Sequence, residues 1–261
     1  MTTNGKVLAM KPYPSPNENV RIDEITYVSE GLRVKGLLAR PVFNTALSAM
    51  LYLRGGLQSI GMVRPGRIAQ FAQQGFVVFA PYYRGNRGGE GRDEFAGSDR
   101  MDAINGVDVL KQFCHCDQVH VYGFSRGGLM ALWTAIYRKD IASVVIWAGV
   151  SDATATYWER VDMRRGLKRI IGGTPNKVPE LYNARTPLFS IKQVHAPVLV
   201  VHGTDDQHVN ISHAYKLEKA LKEMNKSVET WIAEGLSHHY PPSLNRQTVK
   251  QICNWMKAKE E

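Results

Sequence analysis

One serine in this sequence has a context in which its hydroxyl could act as a nucleophile. Ser125 is the centre of Gly123-Phe124-Ser125-Arg126-Gly127, after a short β-branched stretch and before an apolar helical pattern. A serine on such a strand-to-helix turn is held in a strained backbone conformation with its hydroxyl exposed. Glycines flank it because a Cβ there would strike the neighbouring chain. The segment predicts a nucleophile elbow, with a helix N-terminus directed at developing negative charge.

A glycine-rich turn between a strand and a helix also occurs in nucleotide-binding folds. Those folds carry Lys-Ser/Thr after the glycines or a spaced G-x-G-x-x-G pattern. The segment around Ser125 has neither. The nucleophile elbow is therefore the better interpretation.

An activated serine needs a base and an acid that orients the base. In α/β-hydrolases the chain order is Ser, then Asp or Glu, then His, on loops after the later strands. Two acids and two histidines fit this order: Asp205 and Asp206 after the apolar stretch 197–201, and His238 and His239 after the stretch 228–232. Taken separately, the acids could cap a helix and the histidines could form a solvated turn. Neither of these structural roles explains the other pair.

The pattern of apolar stretches shows which elements must position these residues. Strands are predicted at 49–53, 76–81, 119–123, 143–148, 197–201 and 228–232, with helices at about 68–72, 100–113, 214–221 and 249–256. Such alternation predicts one α/β domain over 1–261, with a mostly parallel sheet and helices on both faces.

Four further segments stand outside this alternation. Stretches 25–29 and 32–39 are predicted to form two antiparallel strands at a half-exposed sheet edge, and residues 1–24 an extended N-terminal lead-in. Residues 151–190 are predicted to form a short lid-like insertion, since no other insertion is large enough to cover the site.

Composition excludes a membrane protein. No apolar run approaches the ~20 residues that a membrane helix needs, and 44% of the 261 residues are hydrophobic, as in an ordinary globular domain. The first residues lack the apolar segment and cleavage site of a signal peptide. A cytoplasmic protein with no membrane partner is expected.

Cysteine use and charge exclude further classes. Cys114, Cys116 and Cys253 offer neither a disulfide framework nor zinc-ligand spacing, so free thiols and no metal are expected. The net charge of +9 includes a basic cluster at helical spacing: Arg160, Arg164, Arg165, Lys168 and Arg169. A solvated helix face explains this cluster at least as well as a nucleic-acid surface, which also needs residues for base stacking. No nucleic-acid partner is expected.

Several motifs together resemble the prolyl oligopeptidase family of α/β-hydrolases. They are Leu53-Arg54-Gly55-Gly56, Tyr83-Arg84-Gly85, the serine elbow with Gly128, His202-Gly203-Thr204-Asp205-Asp206, and His238 followed by Tyr240, Asn245 and Arg246. The resemblance covers about residues 25–258. It implies the α/β-hydrolase fold.

The resemblance also selects between the paired candidates. The family's acid lies four residues after the histidine of the His-Gly turn and three before a valine, which implies Asp206 with Val209. The family pattern Gly-x-x-His-x-aromatic implies His238, with Gly235 before it and Tyr240 after it.

By this resemblance the chain is a serine hydrolase without a cofactor. Ser125 would be the nucleophile, His238 the base and Asp206 the orienting acid, and an acyl-enzyme would form. The oxyanion hole would use the backbone N–H groups of Arg126 and Gly56, each worth roughly 2.7–4 kcal/mol in the transition state.

Three functions are compatible with these residues. A peptidase that cleaves small peptides or amides is favoured, and a carboxylesterase for small acyl esters is the alternative with the same chemistry. A non-catalytic binding protein is the alternative of another class, and the intact set of catalytic residues argues against it. Family peptidases usually carry an N-terminal propeller, whereas about 24 residues precede the first predicted strand here. A stand-alone catalytic domain is therefore expected.

Three residues are candidates for substrate binding. Trp158 and Tyr182 lie in the 151–190 insertion and could wall an acyl pocket. Arg54 stands where the family usually has Tyr or His and should lie near the oxyanion loop. It could assist the oxyanion hole, bind a substrate carboxylate, or pair with an acid such as Glu90 or Asp93. The structural pairing is favoured, since an unpaired arginine at a buried strand end is costly.

Overall fold

A nine-stranded sheet runs through the computed structural model, which describes residues 3–42, 48–114 and 116–260. The strands are β1 Val7–Tyr13, β2 Val20–Ser29, β3 Leu32–Pro41, β4 Ser48–Leu53, β5 Phe76–Pro81, β6 Val119–Phe124, β7 Ile141–Trp147, β8 Val198–Gly203 and β9 Val228–Ala233. Their spatial order is β1-β2-β3-β5-β4-β6-β7-β8-β9. The first three strands and β5 pair antiparallel, and from β5 to β9 every pair is parallel. The predicted mostly parallel sheet is confirmed.

Helices cover both faces of the sheet. They are α1 Pro65–Ala72, α2 Arg100–Lys111, α3 Gly127–Tyr137, α4 Ala153–Glu159, α5 Arg164–Ile171, α6 Pro179–Asn183, α7 Ser212–Glu223 and α8 Pro242–Lys257. Apolar residues of α2, α3 and α7 belong to one core layer, and those of α1 and α8 to the other. Strands β5, β7 and β8 are buried at every position. They therefore form continuous apolar runs, as expected where helices cover both faces.

The N-terminal segment differs from the prediction. Residues 1–24 were expected to be an extended lead-in, but the structure forms β1 there and begins β2 at Val20. β1 is largely exposed and pairs only with β2 at the sheet edge. Its sequence begins with the apolar residues Val7, Leu8, Ala9 and Met10 but lacks the alternation of a half-buried strand, so no strand is predicted from it.

The insertion between β7 and β8 contains α4, α5, α6 and two 3₁₀ turns, Val161–Met163 and Pro187–Gln193. On α5, Arg165, Lys168 and Arg169 are exposed, consistent with a solvated basic face. Within the described part of the chain, no helix is long and apolar enough to cross a membrane.

Two of the three cysteines differ from the expectation of free thiols. Cys114 and Cys116 are paired as a disulfide, and Cys253 is free and buried. His115, between the paired cysteines, lies outside the described residues.

Close packing at the start of α3 determines where the β6–α3 turn lies. A Cβ on Gly127 would lie 2.1 Å from the carbonyl oxygen of Leu53, and one on Gly123 would lie 2.3 Å from that of Gly127. Leu53 pairs with Gly123, and Phe124 with Trp147, so β4, β6 and β7 end together at one edge of the sheet. The turn that carries Ser125 is therefore pressed against the end of β4.

We expect Gly127→Ala to lower the free energy of unfolding by about 1–3 kcal/mol, because the added methyl group overlaps a backbone carbonyl. Gly166→Ala on α5 is the matched control, since a Cβ there meets nothing within 4 Å. Urea unfolding of both variants measures the difference. Equal stability of the two variants would contradict the packing argument.

Candidate active site

Ser125 has the backbone conformation that the elbow requires. Its φ is +55°, in the left-handed region that residues other than glycine rarely adopt. The backbone holds it there, because its N–H donates to Trp147 and its carbonyl accepts from Gly128 and Val150. Among the described residues, no hydrogen bond uses the Ser125 hydroxyl. That hydroxyl is therefore available to a substrate or a base.

Asp206 and His238 lie together at the same edge of the sheet. His238 Nδ1 lies 2.7 Å from Asp206 Oδ2, and both side chains are buried. The other carboxylate oxygen of Asp206 accepts the backbone N–H groups of His208 and Val209 at 2.8 and 2.9 Å. The turn after β8 thus holds the carboxylate rigidly, and the carboxylate holds one ring nitrogen of His238.

The environment of Asp206 favours its ionised form. Burial alone would raise the pKa of this carboxyl group, but hydrogen bonds from His202 and His238 hold it well below the usual range. His202 Nε2 lies 3.4 Å from Asp206 Oδ2 and 2.9 Å from the Val209 carbonyl oxygen. Sequence reasoning used His202 only as a motif marker and missed this supporting contact.

The structure separates the members of each candidate pair. Asp205 is exposed and accepts a hydrogen bond from Thr204, whereas Asp206 is 6% exposed. His239 is exposed and its ring stacks on Phe124 at 5.4 Å, while His238 is 5% exposed. The geometry therefore favours the same two residues as the family resemblance.

A cavity of about 580 Å³ opens at this edge. Ser125, His238, Arg126 and Gly56 all line it. Gly55 lies against the serine, because a Cβ on it would be 2.7 Å from Ser125 Cβ. Within the described residues, the backbone N–H of Arg126 donates to no protein acceptor, so it is free to bind an oxyanion. No cluster of metal-ligating side chains occurs in the described part of the chain.

The substrate-binding predictions for the insertion are not matched by the structure. Trp158 is 46% exposed and packs beside Arg164 and Tyr157, and Tyr182 is fully buried with its hydroxyl donating to Gly173. Neither residue lines the cavity. The insertion instead contributes these residues to the wall: Thr156, Arg160, Asp162, Met163 and Gly166. The sequence shows which segment covers the site, but not which side of each short helix faces inward.

The Arg54 guanidinium is 2% exposed and its hydrogen bonds are made within the protein. It donates to the carbonyl groups of four residues at 2.9–3.1 Å: Gly55, Gln58, Ile60 and Tyr82. It also lies 3.5 Å from Asp93, while Glu90 pairs with Arg33 instead. Burial lowers the pKa of Arg54 to about 10, and the nearby charge of Arg126 adds to this effect. These contacts support the predicted structural role.

Asp93 contacts both loops that flank the serine. Its carboxylate forms a two-point ion pair with the guanidinium of Arg126, and it accepts the Gln58 N–H at 3.1 Å. Burial would raise the pKa of Asp93, but the charges of Arg126 and Arg54 hold it below the usual range. Asp99 lies nearby, 3.5 Å from Arg126, and burial raises its pKa to about 7.

The similarity of this sequence to known proteins identifies its family. The sequence model of the prolyl oligopeptidase family matches residues 63–260. The chain belongs to the prolyl oligopeptidase family. The predicted serine peptidase class is thereby confirmed.

One relative agrees with this assignment, and two solved structures share the fold. The chain is 53% identical to the uncharacterized peptidase YtmA of Bacillus subtilis (strain 168) over 254 residues, covering 96% of this chain and 99% of that protein. The acylaminoacyl peptidase of Pyrococcus horikoshii has the same fold, with a TM-score of 0.78 at 18% identity over 96% of this chain. This chain covers 42% of that structure's length. An acetyl xylan esterase from Paenibacillus sp. R4 also shares the fold, with a TM-score of 0.76 at 14% identity, covering 96% of this chain and 88% of that one.

We expect Arg54→Met to destabilise the protein by roughly 3–5 kcal/mol, because it removes a buried ion-pair partner and leaves several buried carbonyl groups unpaired. Thermal and urea unfolding measure the effect. Arg33→Met is the control: the Arg33–Glu90 pair is exposed, and its loss should change stability little. Unaltered stability of Arg54→Met, with KM raised only for acidic substrates, would show that Arg54 binds substrate instead.

Proposed function

We propose that this family member hydrolyses small peptides or amides through Ser125, His238 and Asp206, by way of an acyl-enzyme. The observation that carries the proposal is the 2.7 Å contact between His238 Nδ1 and the buried Asp206, beside a cavity that both His238 and Ser125 line. Because Nδ1 of His238 faces the acid, Nε2 is the ring nitrogen left to accept a proton from the serine.

The reaction follows from these positions. Ser125 Oγ attacks the substrate carbonyl, and its proton passes to His238 Nε2. The backbone N–H groups of Arg126 and Gly56 stabilise the negative charge on the carbonyl oxygen. His238 then protonates the leaving amine, and a water molecule, activated by the same histidine, hydrolyses the acyl-enzyme. The ionised Asp206 keeps the imidazole in the tautomer that this sequence of steps needs.

The cavity limits the size of the substrate. Its volume of about 580 Å³ suits a small molecule or short peptide segment, and the 151–190 insertion forms part of its wall. We infer that folded proteins are not cleaved. Incubation with a folded protein, followed by mass spectrometry, tests this, and efficient digestion would contradict it.

Ser125→Ala should abolish turnover of chromogenic aminoacyl and peptidyl amides and of short and long acyl esters, because each needs the same nucleophile. The free energy of unfolding should change little, since the hydroxyl makes no hydrogen bond in the described structure. A fluorophosphonate should label Ser125, and peptide mapping identifies the site. Labelling of any other residue would refute the assignment, and turnover of esters without amides would favour the carboxylesterase.

The paired acids and histidines provide matched controls. Asp206→Asn should lower kcat about 10⁴-fold by allowing the wrong histidine tautomer, and Asp205→Asn should have a far smaller effect. His238→Ala should match the loss seen with Ser125→Ala, whereas His239→Ala should retain most activity. Steady-state kinetics of the four variants measure these differences. If the members of either pair exchanged effects, the proposed triad would be wrong.

A further inference from the structure

Two arginines on the cavity wall have no carboxylate partner among the described residues. Arg64 directly precedes α1 and Arg67 lies in its first turn, so their spacing puts them on the same side of the helix. Arg67 Nη1 donates to the neutral amide oxygen of Asn245 at 2.6 Å. An arginine on a cavity wall without a counter-charge can offer its guanidinium to a ligand.

The other arginines of the cavity wall have acidic partners. Arg54 and Arg126 both contact Asp93. Arg160 binds Asp162 through two hydrogen bonds, at 2.9 and 2.7 Å. Within the described residues, Asp162 is the only carboxylate on the cavity wall. Arg64 and Arg67 are therefore the arginines of this wall that lack an acidic partner among the described residues.

The field of these two arginines reaches the interior of the cavity. Burial raises the pKa of Tyr52 to about 12, and the charges of Arg67 and Arg64 act against this rise. Tyr52 stacks on Tyr122 with ring centroids 5.0 Å apart, and Trp147 and Tyr240 continue this aromatic wall. The arginines thus stand at one end of a wall that leads to the segment carrying His238.

That wall also contains buried polar atoms without protein partners. Trp147 Nε1 and the Tyr240 hydroxyl make no hydrogen bond within the described residues. Both atoms have almost no accessible surface, so a ligand in the cavity does not reach them in this conformation. The two arginines are therefore the groups on this wall that favour a negatively charged ligand with oxygen acceptors.

We propose that Arg64 and Arg67 bind a carboxylate of the substrate. This inference rests on the proposed hydrolase function. The carboxylate could belong to the acyl portion, as in an acidic peptide segment, or to the leaving group, as in a free peptide C-terminus. Both sources present the same planar pair of oxygens, which a guanidinium binds through two hydrogen bonds.

The test compares substrates that differ only in this charge. Succinyl-alanine 4-nitroanilide against succinamoyl-alanine 4-nitroanilide, in which an amide replaces the free carboxylate, varies the acyl side. Acetyl-alanyl-alanine against its C-terminal amide varies the leaving group. In the wild-type protein, kcat/KM should be about ten- to a hundredfold higher for the acidic member of one pair, in line with a charge-assisted hydrogen bond. The pair that responds identifies the source of the carboxylate.

The variant Arg64→Gln/Arg67→Gln should reduce that acid-to-neutral ratio to near one, mainly through KM for the acidic substrate. Arg67→Lys should keep part of the ratio because it keeps the charge. Arg165→Gln removes one positive charge from the exposed face of α5, away from the cavity, and should leave the ratio unchanged. Raising the salt concentration should also reduce the wild-type ratio.

A wild-type ratio near one for both pairs, or a ratio that survives the double substitution, would overturn the subsite and leave the hydrolase proposal intact. If none of the four substrates is cleaved, fluorophosphonate labelling of Ser125 supplies the readout. In the wild type, glutarate should slow the labelling more than glutaramide does. In the double variant, both compounds should slow it equally little. Equal protection by both compounds in the wild type would refute the subsite. Failure of Ser125 to react at all would instead refute the proposed function.

Discussion

The buried carboxylate of Asp93 contacts both loops that flank the proposed nucleophile. Asp93 binds the guanidinium of Arg126, next to the proposed nucleophile, and it also contacts Arg54 and the Gln58 N–H in the opposite loop. A buried ion pair of this kind is costly to desolvate and is stable only when further hydrogen bonds complete it. Here the backbone carbonyl groups bound by Arg54 provide them. The separation of the two loops, and hence the width of the proposed oxyanion hole, follows from this contact.

The same logic applies to the acid of the proposed triad. Asp206 is buried yet ionised because the backbone N–H groups of His208 and Val209 and the two histidines His202 and His238 surround it. Several donors to one carboxylate remove most of its freedom to rotate. Asp206 consequently holds Nδ1 of His238, and the His238 ring lines the cavity.

The arginines on the cavity wall fall into two groups, those with acidic partners inside the protein and those without. Arg54, Arg126 and Arg160 all have acidic partners inside the protein, so their charges serve mainly to hold loops in place. Arg64 and Arg67 differ, because the groups that surround them in the described structure are neutral or aromatic. Selectivity for a substrate carboxylate would therefore arise from residues that the catalytic motifs do not include.

Much of the architecture was predictable from local pattern. Strands β4 to β8, which are buried at nearly every position, appear as mostly apolar runs. The glycines around Ser125 indicate a turn with no room for side chains. The edge strand β1 was not predictable, because it is exposed, pairs on one side only and lacks the alternation of a half-buried strand. The positions of Trp158 and Tyr182 were also wrongly predicted. Which side of a short helix faces inward depends on what packs around it.

By itself, the sequence determined the residue types that can carry out serine hydrolysis, their order, and their places after successive strands. Chain order alone could not choose between Asp205 and Asp206 or between His238 and His239, and there the family resemblance was needed. Only the tertiary structure decided that Arg54 is occupied by loop carbonyls while Arg64 and Arg67 lack an acidic partner among the described residues. The physical reason is that the partners of an arginine come from distant parts of the chain. Asp93 and Asn245 reach Arg54 and Arg67 only when the sheet and its helices assemble.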